Sequence, residues 1–381
     1  MKIVSVVGAR PNFMKVAPFC RALKAFPQVE HVLVHTGQHY DVRLSEQFFR
    51  ELDIPSPDVN LEIGSGTHAE QVGRTMIAFE KVLRAEKPDW VVVLGDVNAT
   101  IACSITAKKE HVKCAHVEAG LRSRDLDMPE EVNRLVTDRL SDLLFTPDRL
   151  SAANLRAEGA RDDQIAFVGN IMIDTLERER AKAEKLDLDA IVAESRDEDQ
   201  ASAAPHLADR GFVAMTLHRP SNVDQPETLR PLVRFVLDEV ARERPVVWAI
   251  HPRAKARLQA FGLWDDVARH ENMILVKPLG YHAMLRLNMG AKVFLTDSGG
   301  LQEECCVLGT PCLTMRWNTE RPITLVENGG ASRLVGNDVA KIRAAYAEAL
   351  ARERAPSRPE LWDGHAAERI ARRILEEGDL V

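Results

Sequence analysis

Short apolar runs rich in valine and isoleucine alternate along this chain with longer segments in which apolar residues recur at helical spacing. In the first half the strand candidates are KIVSVVG, HVLVHTG, WVVVLGD, CAHVEAG, LLFTP and IAFVGN; in the second they are FVAMTLH, VVWAIHP, MILVKP, VFLTDSGG and PCLTM. Near-continuous apolar runs are what strands covered on both faces require, and their alternation with helices predicts parallel α/β units. Between the two sets, AKAEKLDLDAIVAESRDEDQASAAPHLADRG is charged, alanine-rich and poor in aromatics. It reads as a peripheral helix followed by a loose linker, which places a domain boundary near residues 175 to 210. The expected fold class is therefore α/β, with two Rossmann-like doubly wound domains over 1–180 and 205–360, their strand ends facing across a cleft. The remaining 361–381 contains RIARRILEEG, an amphipathic helix suited to packing on a domain rather than on a membrane.

Length agrees with this division, since 381 residues exceed one ordinary core. A formal charge of −7 gives no electrostatic case for broad nucleic-acid or membrane binding, so any anionic ligand needs a local site. The opening MKIVSVVGARPNFMK is interrupted by Arg10 and Lys15 too early for a signal peptide. No uncharged stretch approaches the roughly 18 residues of a membrane span, and a cytoplasmic protein is expected. Cys20, Cys103, Cys114, Cys305, Cys306 and Cys312 show no C-x-x-C spacing and read as reduced small hydrophobes. His35 and His39 have a helical metal spacing but lie in a strand-to-turn segment without a third ligand, so no metal is expected.

In open parallel sheets ligands bind beyond the carboxyl ends of the strands. The residues there are Gly8-Ala9-Arg10, Gly37-Gln38-His39, Gly95-Asp96, Glu118-Ala119-Gly120, Gly169-Asn170, His218-Arg219, His251-Pro252-Arg253 and Asp297-Ser298-Gly299-Gly300. Singly, each is an ordinary turn or cap; together they describe a functional rim. Gly299-Gly300 opens a segment of helical period, where unpartnered N–H groups and positive potential suit a phosphate. Ser298 can cap that helix or donate to the same anion, and either Glu303 or Glu304 lies one turn in, within reach of ribose hydroxyls. A capped helix with acids favouring its dipole explains the stretch equally well in isolation. Arg10, Lys15, His218, Arg219 and Arg316 supply the basic loops that a diphosphate requires. G-x-G-x-x-G after the first strand and a G-x-x-x-x-G-K-[ST] loop are both missing, which argues against bound NAD and P-loop hydrolysis; no cofactor is expected. Asp96, Glu118 and Glu130-Glu131 are the acids of the first half. A carboxylate backed by apolar residues loses solvation and is drawn toward proton transfer, although each of these could equally cap or start a helix.

Taken together, GARPNFMK, TGQHYD, PDWVVVLGDVNAT, AHVEAGLRSRDLDMPEEVNR, VGNIMIDTL, TLHRPSNVD, HPR, LTDSGGLQEE and MRWNTERPIT resemble the non-hydrolysing UDP-N-acetylglucosamine 2-epimerases over nearly the whole chain. The resemblance implies the two-domain fold of many nucleotide-sugar glycosyltransferases (GT-B-like), with a C-terminal helix returning to the first domain, and a cytoplasmic homodimer. It implies reversible C2 epimerisation of UDP-N-acetylglucosamine to UDP-N-acetylmannosamine, by elimination of UDP to a 2-acetamidoglucal and its re-addition. Asp96, Glu118 and Glu130 fall on the family's catalytic acids, with Glu131 as fallback for Glu130, and His218 and Lys15 beside them. Arg10, His251, Arg253, Ser298, Gly299, Gly300, Glu304, Arg316 and Arg321 fall on the UDP-binding side, and Gln38-His39 resembles an allosteric pair of some bacterial members. A related UDP-amino sugar, a hydrolysing epimerase, a glycosyltransferase and an inactive nucleotide-sugar-binding regulator are the alternatives. Polysaccharide precursor supply is the implied setting.

Overall fold

The computed structural model describes residues 1–37, 48–200, 206–208 and 211–378, and divides into two compact units, Met1–Arg178 with Pro359–Val381 and Glu179–Arg358. Each unit is built on one sheet, and every strand pairing in both is parallel. In the first, β1 (Lys2–Val7), β2 (Glu30–His35), β3 (Val59–Asn60), β4 (Trp90–Leu94), β5 (Lys113–Val117), β6 (Leu143–Thr146) and β7 (Ile165–Phe167) lie in the order β3-β2-β1-β4-β5-β6-β7. In the second, β8 (Val213–Thr216), β9 (Val246–Ala249), β10 (Met273–Val276), β11 (Val293–Thr296), β12 (Cys312–Thr314) and β13 (Ser332–Leu334) lie in the order β10-β9-β8-β11-β12-β13. Both orders start in the middle, run to one edge, return and run to the other, which makes each unit a doubly wound, Rossmann-like α/β fold.

Every apolar run read as a strand is one, and the central ones are buried as a two-sided parallel sheet demands: all of Trp90–Leu94, Val246–Ala249 and Val293–Thr296 are buried, whereas Ile165–Phe167 at a sheet edge is half-buried. Val59–Asn60 and Ser332–Leu334 escaped the pattern because they are edge strands of 2 and 3 residues, too short to show a period. The loose linker also reads differently. Leu188–Ser195 is a helix whose Leu188, Ile191 and Val192 are buried with Phe212 and Ala214, so the apolar LDAIVA inside the charged segment belongs to the second core. The six cysteines are buried free thiols. No helix among the described residues is long and apolar enough to cross a membrane.

The C-terminal helix Ala366–Glu376 belongs to the first unit, where it packs on the helix Arg10–Leu23. Buried Asp174 takes its place as cap by accepting from the backbone N–H groups of Ala366 and Ala367 at 3.0 and 2.7 Å, and Trp362 donates its indole N–H to the Pro147 carbonyl at 2.9 Å. In both units the topology leaves one pair of central strands from which the chain departs in opposite directions, β1 and β4 in the first and β8 and β11 in the second. Crevices form beyond the carboxyl ends of such pairs.

Candidate functional site

Asn12 fixes the reversal point of the first unit. Its buried Oδ1 accepts from the N–H groups of Gly8 and Ala9 at 3.0 and 3.1 Å, while Nδ2 donates to the Leu94 carbonyl at 2.7 Å, so one amide joins the loops after β1 and β4. Gly95 follows in the left-handed region (φ 66°), and a Cβ there would stand 2.7 Å from Lys15 Nζ. Lys15 and Glu118 form an ion pair with side chains only 4% and 2% exposed. Glu118 also has positive φ (75°), a backbone conformation that costs a non-glycine residue about 1–3 kcal/mol and persists where the surroundings enforce it. Asp96 Oδ2 receives Arg134 Nη1 at 2.5 Å, with the Asp96 side chain 21% exposed.

Arg134 divides its fork between this acid and Glu131, to which Nη2 and Nε donate at 2.5 and 3.0 Å. The same Glu131 accepts from the N–H groups of Ser123 and Arg124 at 2.9 and 2.8 Å. Burial alone would raise its carboxyl; Arg134 and those amides outweigh burial and hold it below the usual carboxylate range. Glu131 is therefore occupied in shaping the loop and aiming Arg134, whereas half-buried Glu130 of the same helical turn stands outside that clamp. Beneath the cluster, His116 points one ring nitrogen at Asp138 Oδ1 (2.6 Å) and the other at the Gly95 carbonyl (2.8 Å). Asp138 also receives Arg122 Nη1 at 2.7 Å and Gly120 N–H at 3.0 Å. This buried network ties the Gly95-Asp96 loop to the Glu118-Gly120 loop.

The corresponding position of the second unit is fixed by a carboxylate. Asp297, fully buried, accepts from the N–H groups of His218 and Arg219 at 3.0 and 2.8 Å, from Asn222 Nδ2 at 3.1 Å and from His218 Nδ1 at 2.8 Å. Burial would raise it, but His218 and the two amides together bring it down to about 2. The helix Gly299–Leu308 begins immediately afterwards, and Ser298 at its N-cap makes no side-chain capping bond, so its hydroxyl is not spent on the first-turn amides. Gly299 is confined from within: a Cβ would lie 2.7 Å from both Arg321 Nη1 and Glu320 Oε1.

Those two atoms belong to a buried quartet. Arg316 Nη2 meets Glu320 Oε2 at 2.6 Å, Arg321 pairs with Glu320, and Arg321 Nε meets Glu303 Oε1 at 2.8 Å. Arg316, expected among the basic loops of a diphosphate site, and Arg321, placed on the UDP-binding side by the resemblance, are 5% and 7% exposed and engaged by carboxylates that the sequence does not pair with them. Glu304 is buried with Tyr281 and Asn288 beside it, and burial pushes its carboxyl up to about 7. His251 is exposed, its ring 5.7 Å from that of His218, and its Nδ1 accepts from Arg253 N–H at 3.1 Å; Arg253 Nε in turn donates to Asp224 at 2.9 Å. Gln38, His39 and the Arg10 side chain lie outside the described residues.

The structure thus gathers Lys15, Asp96 and Glu118 at the strand ends of one unit, with Glu130 in the first turn of the helix Pro129–Leu140, and His218, His251, Ser298, Gly299 and Gly300 at the strand ends of the other. Sequence reasoning assigned no role to Asn12, His116, Arg134, Asp138, Asp297 or Glu320. A signal existed for His116, a polar residue inside the buried strand CAHV, because a buried ring must find partners.

The family described as UDP-N-acetylglucosamine 2-epimerase matches residues 21–375. The UDP-N-acetylglucosamine 2-epimerase of Methanocaldococcus jannaschii is 40% identical over 99% of this chain and 100% of its own. A UDP-2,3-diacetamido-2,3-dideoxy-D-glucuronate 2-epimerase of Pseudomonas aeruginosa is 39% identical over 88% of both chains. A crystal structure of the M. jannaschii enzyme in complex with UDP-GlcNAc and UDP superposes with a TM-score of 0.88 at 41% identity, covering 99% of this chain and 100% of that one. The chain belongs to the UDP-N-acetylglucosamine 2-epimerase family.

Proposed function

We propose that this protein is an isomerase that interconverts UDP-N-acetylglucosamine and UDP-N-acetylmannosamine without hydrolysing them. The observation that carries the reading is the first unit's cluster, in which Asp96 and Glu118 are held beside Arg134 and Lys15 at the reversal of strand order. A C2 proton that is not next to a carbonyl is a poor acid, so direct abstraction has no stabilised product. Elimination supplies one: the C1–O electron pair leaves with the β-phosphate of UDP, a carboxylate takes the C2 proton, and the C1=C2 double bond of a 2-acetamidoglucal forms. Return of UDP to C1 with protonation of C2 from the opposite face completes the inversion, which needs proton carriers on two faces. Asp96, Glu118 and Glu130 supply them, with Lys15 and Arg134 balancing their charge. UDP is held at the start of the helix Gly299–Leu308, where first-turn amides, Ser298 and His218 offer donors to the departing oxygen. Glu304 serves the ribose.

The crystal structure of the M. jannaschii relative with UDP-GlcNAc and UDP supports this substrate. A second substrate, a UDP-2,3-diacetamido sugar acid, has support from the P. aeruginosa relative. Incubation with UDP-N-acetylglucosamine in deuterated water, followed by NMR, tests the reading. Two UDP-sugars carrying deuterium at C2 are expected; free UDP with N-acetylmannosamine would mean hydrolysis, and an unchanged spectrum would direct the same assay to the diacetamido sugar. The reading includes a cytoplasmic homodimer, which light scattering on the purified chain checks.

A further inference from the structure

Asp297 is a heavily bonded buried carboxylate of the second unit's strand ends, and it contacts His218, one of the two titratable rings gathered there. We propose that Asp297 is a positioning residue that holds His218 as an imidazolium, so that Nε2–H donates a hydrogen bond to the oxygen on which UDP departs from and returns to the sugar. The inference rests on the epimerase reading above and adds to it the device that sets the state of the histidine.

The geometry leads there in three steps. A carboxylate oxygen can only accept, so the 2.8 Å contact between His218 Nδ1 and Asp297 Oδ1 requires the proton on Nδ1. Phosphate oxygens are acceptors as well, so a ring that serves them through Nε2 needs a second proton there. Asp297 supplies the charge that makes the doubly protonated ring favourable: it is fully buried, and the donors converging on it keep it ionised down to about 2. Its negative charge lies against the ring on one edge, while the His218 side chain remains 41% exposed. Two further groups face this pair: the His251 ring at 5.7 Å, and Arg219, whose Nε donates to the Asp297 carbonyl at 3.1 Å. The backbone N–H groups of His218 and Arg219 are bound by the same carboxylate, so main chain and ring are fixed together. When the C1–O bond breaks, its electron pair moves onto the β-phosphate oxygen, and the donated hydrogen bond strengthens as that charge develops. No proton need leave the ring, and the return step uses the same contact in reverse.

The test combines a spectroscopic signature with a double-mutant cycle on the full-length protein. Nitrogen-15 NMR of the wild-type histidines should show His218 protonated at both Nδ1 and Nε2 near neutral pH, with and without UDP; an Nδ1 without a proton would overturn the proposal whatever the activity. Asp297→Asn keeps the shape and one acceptor oxygen but lacks the charge and puts a donating NH2 in place of the second oxygen. It should lower kcat about a hundredfold and weaken UDP binding about as much, because free UDP carries the full charge on that same oxygen, while changing KM less than threefold. His218→Gln should do the same, and the double variant should fall no further than the deeper single. Losses that multiply would show that Asp297 acts elsewhere. If Asp297→Asn does not fold, the wild-type spectrum and the loss of UDP affinity in His218→Gln decide the matter, and UDP affinity unchanged in His218→Gln would overturn the proposal. Failure of the wild-type protein to exchange C2 hydrogen would sink the epimerase reading instead, and the nitrogen spectrum would still report on the pair.

Discussion

The two units repeat one strand order and place their polar loops at equivalent ends, yet they join those loops with opposite chemistry. In the first, the neutral amide of Asn12 joins them, and the acids around it, Asp96 and Glu118, are matched by Arg134 and Lys15. In the second, the joining residue is itself the anion, Asp297, and what surrounds it are donors: a histidine, backbone amides and a helix start. A doubly wound sheet thus supplies the place without dictating the charge. In the proposed reaction the first unit's groups would move protons and the second's would hold the anion that forms and is consumed during turnover.

The largest expected effect breaks the proton-handling half alone. Asp96→Asn should reduce turnover about a thousandfold, within the range for loss of a general acid or base, and leave the UDP Kd within twofold by calorimetry. Equal losses in both would erase the division of labour. Next comes Lys15→Met, which strands Glu118 as a buried unpaired carboxylate with its side chain 2% exposed. Removal of one partner of a buried pair costs about 3–5 kcal/mol, read as a lower denaturant midpoint. The double variant Lys15→Met with Glu118→Gln should regain most of that stability and none of the activity. A double variant no more stable than the single would show that the pair is not the unit. Gly300→Val attacks the anion-holding half: a side chain on the helix start should weaken UDP binding about tenfold or more with the second unit still folded by circular dichroism. Affinity near that of the unaltered protein would remove the helix start from the site.

Much of this comparison was legible before any coordinates. The alternation of apolar runs with helical segments specified two parallel α/β units, because two-sided burial leaves a composition that few other architectures share. The acids and the glycines at strand ends could be named for the same reason. Charge pairing was not legible: the sequence puts Arg316 and Arg321 on the UDP side without naming a partner, and only the packing shows Glu320 and Glu303 against them. Sequence spacing says which residues share a loop but not which side chains of different elements meet. Asp297 illustrates the limit, since its partners His218, Arg219 and Asn222 lie 75 or more positions away in the chain. Glu131 illustrates it at short range, where an adjacent acid of equal charge turned out to be bound into the loop while Glu130 was not.

The smallest effect sharpens the comparison through pH. Glu304 titrates at about 7 in the native second unit against an ordinary value of 4.5, because burial disfavours its charged form. Between those values the native state keeps a proton that the unfolded chain has released, so stability falls as pH rises from about 4.5 to about 7 and then levels. The first unit carries its own such group in Asp174, raised by burial from 3.8 to about 6, so its contribution to the fall ends near pH 6. Asp297, held at about 2, has the opposite sign: its stabilisation is complete above 3.8 and fades only as pH drops toward 2, outside this window. Between pH 6 and 7 the falling contribution belongs to Glu304, while His31, whose ring burial lowers from 6.5 to about 4, adds stability as pH rises up to about 6.5. Glu304→Gln should remove the falling contribution between pH 6 and 7 in a series of thermal melts and lessen it between about 4.5 and 6, where the share of Asp174 remains. A slope unchanged between pH 6 and 7 would show that Glu304 keeps its charge when buried.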